Sequence, residues 1–368
     1  PASYSWAFIK DTTAPDVPED LLALPGHDKV HLTWTNPTGD ASFVGVEIRM
    51  VGWTDYPEYG TPGPGAPSYP ADETQGTLVT QTSAELYDDG RTPRDIYYYS
   101  VFAYDCAGNY SALGTTATDR STSYWLGDIN PTTVGDGYVD MGDLAPFSSA
   151  FGTIDGGGGW DNEADFGPTD DWSRLGIPLP DNAIDFEDLM VLAMNYGHVL
   201  PTLAPAILAD EPINVLRDKV SFRLVPKSVE GGNAVFSIVM ENSAKTLKGV
   251  SLTLDYGMGN ELVVVEPSGK LVASQSFFGK IDRESGRVEL CVAALGVNRP
   301  LVVTGEIAQI EVRQSNGSTA GVTLAKSSLR NLVNERDEVG HDTGHTPYVP
   351  MVSGLMQNHP NPFNPTTT

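Results

Sequence analysis

The side chains with the most chemistry in this chain are aspartates at a repeated spacing. Asp136-Gly-Tyr-Val-Asp-Met-Gly-Asp-Leu144 aligns with Asp181-Asn-Ala-Ile-Asp-Phe-Glu-Asp-Leu189 at an offset of 45 residues. Asp136 then matches Asp181, Asp140 matches Asp185, Asp143 matches Asp188, and Gly152 matches Gly197. A twelve-residue calcium loop takes oxygens from positions 1, 3 and 5, a backbone carbonyl from 7, an acid from 9 and a carboxylate from 12, with a turn residue at 6. Asp136 and Asp181 fit position 5, and Gly137 and Asn182 fit the positive-φ turn. Tyr138 and Ala183 offer the carbonyl at 7, Asp140 and Asp185 the acid at 9, and Asp143 and Asp188 the carboxylate at 12. Upstream, Asp128 and Asn130 supply positions 1 and 3 of the first loop, and Asp165 supplies position 1 of the second. Val139 and Ile184 at position 8 are the apolar residues expected to clasp the loops together. The ion this donor set suits is hard and oxygen-preferring: Ca2+, at two sites.

Charge follows the same geography. The net charge is −26, and residues 125–200 hold 14 acids against one base, Arg174. A plain solvated acidic face would also produce such a run, but the regular spacing favours ligands. The acidity excludes nucleic-acid binding, because it repels a phosphate backbone. No apolar run approaches the length of a membrane helix, so no membrane span is expected. Cys106 and Cys291 read as isolated small apolar residues, without a disulfide framework or a thiolate site. Pro1 opens the chain with neither an initiator Met nor a signal-peptide pattern, which reads as a mature or trimmed product.

Each loop needs an element to hold its last carboxylate. Leu144, Phe147 and Phe151 lead to Gly152, and Leu189, Leu192, Ala193 and Tyr196 lead to Gly197, the pattern of an amphipathic helix with a glycine stop. Loop plus exit helix, twice, without an entering helix, resembles a dockerin. That resemblance implies two calcium ions and docking onto cohesin domains. Two departures stand out: Pro131 to Gly135 and Pro168 to Pro180 are insertions between loop positions 3 and 5, and position 3 of the second loop is Gly167. Thr169, Asp170 and Asp171 are the candidates to replace the missing ligand.

On either side lie strand patterns. Val30-His-Leu-Thr-Trp34, Val44 to Met50 and Ile96-Tyr-Tyr-Tyr-Ser-Val-Phe-Ala-Tyr104 alternate so that Val30, Leu32 and Trp34 share a face, as do Tyr97, Tyr99, Val101 and Ala103. With the lead-in Thr13-Ala-Pro-Asp-Val-Pro18 and the closing Ala107-Gly-Asn-Tyr-Ser111, this stretch resembles a fibronectin type III domain. Its Gly/Pro-rich insert from Trp53 to Tyr69 carries Trp53, Tyr56, Tyr59 and Tyr69. Three readings stay open there: a loop folded onto its own domain, a subunit contact, or a sugar-stacking platform. Ahead of it, Tyr4-Ser-Trp-Ala-Phe-Ile9 is an apolar strand that pairs in its own chain or is donated to a neighbouring subunit.

After the loops, strands are expected at Val220 to Val225, Ala234 to Glu241, Lys248 to Tyr256, Glu261 to Val265, Arg287 to Ala293 and Glu306 to Val312. Val250, Leu252 and Leu254 face one way, and Ile307, Gln309 and Glu311 oppose Ala308, Ile310 and Val312. The order, with Phe277-Phe-Gly279 and a last Val322-Thr-Leu324 strand, resembles a cohesin, a jelly-roll sandwich; a generic sandwich is the alternative. His341 and His345 lack the further ligands of a zinc site. Leu355-Met-Gln-Asn-His-Pro-Asn-Pro-Phe-Asn-Pro-Thr-Thr-Thr368 resembles the start of a type IX secretion sorting domain. It implies export to the exterior or cell surface of a Gram-negative bacterium.

The fold class is thus mainly β and multidomain: an N-terminal strand (1–11), an Ig-like fibronectin III sandwich (12–124), a small α-helical dockerin with EF-hand-like loops (125–200), a cohesin-like jelly-roll sandwich (201–350) and a sorting tail (351–368). No nucleophile elbow, phosphate loop or Cys/His pair is present, so no enzyme is expected. The functional reading is a secreted structural or adhesion protein that binds copies of itself, dockerin to cohesin, into a filament or surface layer. Docking within one chain is expected to be strained, because only about eight residues, His198 to Pro205, would bridge the modules. The alternative is an accessory scaffold or polysaccharide-binding region of a larger secreted polysaccharide-degrading enzyme.

Overall fold

The computed structural model describes residues 11–53, 65–92, 94–130, 135–197, 213–230, 233–272, 274–313, 321–337 and 349–350. The expectations for Tyr4 to Ile9, Tyr56 and Tyr59, Pro131, the His198 to Pro205 linker, His341 and His345, and the tail from Leu355 lie outside the described residues. The chain forms two compact units. One comprises Pro1–Pro146, Asn162–Asn182 and His198–Leu203; the other comprises Phe147–Asp161, Ala183–Gly197 and Ala204–Thr368. The acidic centre is divided between them.

In the first unit, β1 (Glu19–Gly26), β2 (Lys29–Thr35) and β5 (Leu86–Asp89) form one antiparallel sheet, in the order β1-β2-β5. The other contains β3 (Phe43–Gly52), β4 (Thr77–Thr82), β6 (Ile96–Asp105) and β7 (Thr118–Thr122), in the order β4-β3-β6-β7. Period-two alternation delivers Val30, Leu32, Val46, Ile48, Tyr97, Tyr99 and Val101 to the space between the sheets, with Trp34 packed against them. The backbone N–H of Thr92 donates to Tyr97 Oη at 2.9 Å, tying the turn before β6 to that strand.

Strand β6 is buried on both faces. Its second face, Ile96 and Tyr98, packs with Ile177, and with Trp53 and Tyr69. Ile177 comes from residues 168–180, which double back on themselves: Asp170 N donates to Ile177 O and Leu179 N to Pro168 O. Trp53 meets Tyr98 edge-on at 6.2 Å, and Tyr69 meets it at 5.0 Å. These two insert aromatics therefore fill a core, and the open stacking platform considered for them does not form from this pair.

In the second unit, β8 (Ser221–Glu230), β9 (Asn233–Asn242), β11 (Glu261–Pro267) and β14 (Gly305–Arg313) make a sheet in the order β11-β14-β9-β8. Facing it, β10 (Leu247–Asp255), β12 (Gln275–Asp282), β13 (Arg287–Ala294), β15 (Gly321–Asn331) and β16 (Val349–Pro350) run in the order β12-β13-β10-β15-β16. Val250, Leu252 and Leu254 point into the core as their alternation requires. Ile307 joins Ala308, Ile310 and Val312 there, against simple alternation, because the β14–β9 register shifts between Glu306 and Ala308.

Three α-helices complete the described residues: α1 (Met141–Ala150), α2 (Phe186–Asn195) and α3 (Ile213–Lys219). The first two end where the glycine signals place them, with Gly152 at φ +85° and Gly197 at φ +81°. Helix α3 was not expected; it packs Leu216 into the second core and is the first element after Gly197 among the described residues. None of these helices is long and apolar enough to cross a membrane.

Candidate metal centre

The first loop is assembled around two buried carboxylates. Asp128 accepts backbone hydrogen bonds from Asp136 (2.9 Å) and Gly137 (2.8 Å). Asp143 accepts from Ile129 (2.8 Å) and Asn130 (2.9 Å) through one oxygen and from Asp140 (2.8 Å) through the other. Positions 1, 3, 5, 9 and 12 are thereby held together in one unit. Gly137 takes the expected left-handed turn at φ +88°. Gly135 also has a positive φ, +70°, and a Cβ there would lie 2.5 Å from the Asp128 carboxyl. Tyr138 N donates to Asp136 Oδ1 at 3.0 Å while the Tyr138 ring is half exposed.

Burial pushes the Asp128 carboxyl up to about 6, against the pull of its two backbone donors, and the nearby Asp143 and Asp136 charges raise it further. Burial likewise raises Asp143, with three backbone donors opposing. Two desolvated like charges behind a loop that admits no Cβ are an arrangement that a hard cation relieves. The donor set, all oxygen, fits calcium. Among the described residues no group of three or more His, Cys, Asp or Glu side chains is gathered at metal-binding distance.

The second loop repeats the device in two parts. In the first unit, Asp165 is buried and accepts from Asp181 N (3.2 Å) and Asn182 N (2.9 Å), and Asn182 has a positive φ, +67°, like its counterpart Gly137 at +88°. In the second unit, Asp188 accepts from Asp185 N at 2.8 Å and Asp185 from Glu187 N at 2.9 Å, a capping box at the start of α2. Ala183 forms an antiparallel bridge with Ile154. Ile184, buried like Val139, exchanges backbone bonds with Gly152 and Thr153. The same capping logic holds at α1, where Gly142 N donates to Asp140 Oδ1 at 2.6 Å. Positions 9 and 12 therefore serve the helix as well as any ion, which the spacing alone does not reveal.

Of the candidates to replace Gly167, Asp170 is committed elsewhere. It pairs with Arg120 and accepts from Ile177 N at 2.9 Å. Thr169 donates to Ser173 O (2.7 Å), and Asp171 accepts from Ser173 N (2.8 Å). Arg94 pairs with Glu163 and donates to Asp128 O at 2.9 Å.

Within the second unit, α2 sits on the outer face of β10, β13 and β15. Met190 and Phe186 lie against Gly249, where a Cβ would meet Met190 Sδ at 2.5 Å. Glu187 pairs with Arg330 (3.0 Å) and Arg336 (3.2 Å) at the first turn. At the last turn, Ala193 O accepts from Gly296 N (2.8 Å) and Lys248 Nζ (3.4 Å), and Lys248 also donates to Gly296 O at 2.6 Å. Phe147 and Phe151 at the end of α1 pack on Phe278 of β12 at 5.5 and 4.9 Å. Docking within one chain was expected to be strained; α2 nevertheless packs on this sheet of its own chain.

No family model matches the chain, and no curated protein matches it. Among solved structures, part of the chain is similar to the second type II cohesin module of the cellulosomal adaptor ScaA scaffoldin of Acetivibrio cellulolyticus, at 11% identity and TM-score 0.27, covering 33% of this chain and 91% of that one. It is also similar to a cohesin module from a family 33 glycoside hydrolase of Clostridium perfringens, at 14% identity, TM-score 0.26, 33% and 91% coverage. A non-cellulosomal cohesin from Archaeoglobus fulgidus is similar at 14% identity, TM-score 0.26, 33% and 85% coverage.

Proposed function

We propose that this chain is a non-catalytic, calcium-stabilised building block of an extracellular filament or surface layer of a Gram-negative bacterium. The observation that carries the reading is α2, which belongs to a duplicated acidic loop and lies clasped on a sheet of its own chain. Calcium would be held by Asp128, Asn130, Asp136, the Tyr138 carbonyl, Asp140 and Asp143, and by Asp165, Asp181, the Ala183 carbonyl, Asp185 and Asp188. What the ion supplies is neutralisation of carboxylates that burial leaves crowded. The residues themselves cap the helices and fix the loops.

In this reading the loop–helix repeats are dockerin-like and the β8 to β15 sandwich is cohesin-like, but their contact is an internal clasp that stiffens the subunit. The first sandwich supports a fibronectin III-like assignment through its three-plus-four strand order and the Tyr97 tie ahead of β6. Copies then join through other surfaces, and export through the type IX tail would deliver them to an exterior rich in calcium. The test is chelation of the full chain followed by limited proteolysis. Calcium removal is expected to open cleavage within residues 125–197 and to lower the melting temperature. Unchanged cleavage and melting would overturn the calcium reading.

A further inference from the structure

One arginine of the first unit reaches the start of both acidic loops. Arg94 stands in the turn before β6, and Ser123 anchors that turn: its backbone N donates to Asp95 O at 2.8 Å and its Oγ to Thr92 O at 2.7 Å. The Arg94 backbone has φ +55°, a left-handed conformation that costs an arginine strain and persists only where surrounding contacts hold it. Its side chain is 9% exposed and makes three such contacts. The guanidinium lies 4.3 Å over the Tyr124 ring, donates to Asp128 O at 2.9 Å and pairs with Glu163. Asp128 is the residue whose carboxyl closes the first loop on Asp136 and Gly137. Glu163 belongs to the short turn Asn162–Ala164, which is tied to the second loop because Asp165 N donates to Asn162 O at 3.2 Å. The Asp165 carboxyl then closes that loop on Asp181 and Asn182. All of these residues lie in the same unit.

We propose that Arg94 couples the two loops, so that an ion held in either one raises the affinity of the other. The proposal rests on the calcium reading above and names the residue through which its two sites communicate. Arg94 is a positioning residue, outside the ligand set. Closing the first loop fixes Asp128, and with it the backbone carbonyl that receives the guanidinium. A guanidinium is a planar fork with five donors, so fixing one edge on a carbonyl aims another at Glu163. The ordering cost of that long side chain is met once, and the second loop has less entropy left to lose when it closes. Linkage makes the effect reciprocal, and couplings of this kind commonly amount to about 5–150-fold in affinity.

The test is calorimetric titration of the full chain with calcium, with hydrogen exchange at the Asp181 and Asn182 amides reporting the second loop. The parent is expected to bind two ions cooperatively, and Asp136→Ala, which damages the first loop, to weaken the second by about tenfold. In an Arg94→Met background two ions are expected to bind independently, and Asp136→Ala to leave the second loop unaffected. Glu163→Gln keeps the shape of the turn and is expected to lose the coupling as Arg94→Met does, which guards against a variant that merely folds poorly. An Arg94→Met or Glu163→Gln chain that melts lower without calcium yet binds as cooperatively as the parent would overturn the proposal, since Arg94 would then be only a brace. A parent that binds two ions independently overturns the coupling alone and leaves the calcium reading standing. A parent that binds no calcium overturns both.

Discussion

The two acidic loops are copies of one device with different insertions, and the difference shows what an insertion is for. In the first, the Asp128 carboxyl closes directly on Asp136 and Gly137, and Gly135 passes so near that no side chain fits. In the second, Asp165 makes the same closure on Asp181 and Asn182, but residues 168–180 intervene as a hairpin. That hairpin spends its polar groups outside the loop, Asp170 on Arg120, and puts Ile177 under Ile96 and Tyr98. Gly167 offers no side-chain oxygen where position 3 of the loop was expected to have one, and the hairpin adds a packing residue instead. The closure of the loop survives because it depends on backbone N–H groups, which any sequence supplies.

The sharpest way to break the comparison is to empty the hairpin. Ile177 is 2% exposed, and Ile177→Ala removes apolar volume from a small cluster that cannot fully collapse, at a cost of about 2–4 kcal/mol. Among the described residues the first loop has no counterpart, so chemical denaturation followed through tryptophan fluorescence should show loss in the first unit, with hydrogen exchange around Asp128 and Asp143 unchanged. A cost below about half a kcal/mol would mean that the hairpin is not a packing element.

The approach glycine comes next. Gly135→Ala adds a Cβ at φ +70° against the Asp128 carboxyl, with about 1–2 kcal/mol of backbone strain before the carboxyl is displaced. Asn182→Gly, at the turn of the other loop, relieves a left-handed asparagine and should stay within about half a kcal/mol of the parent. Calorimetric titration with calcium should then show a weakened site in the first variant and two intact sites in the second. Equal titrations would remove the first loop from the binding set.

How much of this was legible depended on which force decided each element. Alternation marked β2, β3 and β6, because a buried face imposes period two on Val30, Leu32 and Trp34. The loop turns were legible from residues that tolerate positive φ, Gly137 and Asn182. Strand β7, Thr-Asp-Arg-Ser-Thr, was not, since it is polar and its place comes from pairing with β6. Asp170 looked like a spare ligand because its partner Arg120 lies 50 residues away. The seat of α2 was hidden for a similar reason: nothing local to Lys248 or Gly249 announces that a helix will cover them. By alternation Lys248 shares the parity of Val250 and belongs in the core, yet the β10–β15 register shifts between Leu247 and Gly249. That bulge re-aims the lysine at α2.

The two exit helices supply the smallest and most specific test, because each ends near a lysine of the same sheet. Gly152, after α1, lies beside the half-buried Lys280; the last turn of α2 meets Lys248, which is 1% exposed and faces two carbonyl oxygens. Burial, with Arg299 adding to it, lowers the Lys248 amine to about 7 from its ordinary 10.5. A neutral amine keeps its donors, so both carbonyl contacts survive deprotonation. Between about pH 7 and 10.5 the unfolded chain therefore holds a proton that the folded chain lacks, and stability rises with pH across that window. Below about 7 both states are protonated and the slope vanishes. The slope is at most about 1.4 kcal/mol per pH unit. Denaturation of the second unit at pH 7, 8 and 9 should show it in the parent and in Lys280→Met, and Lys248→Met should flatten it. An unchanged slope in Lys248→Met would mean that a different group releases the proton, and that Lys248 is charged where it lies against α2.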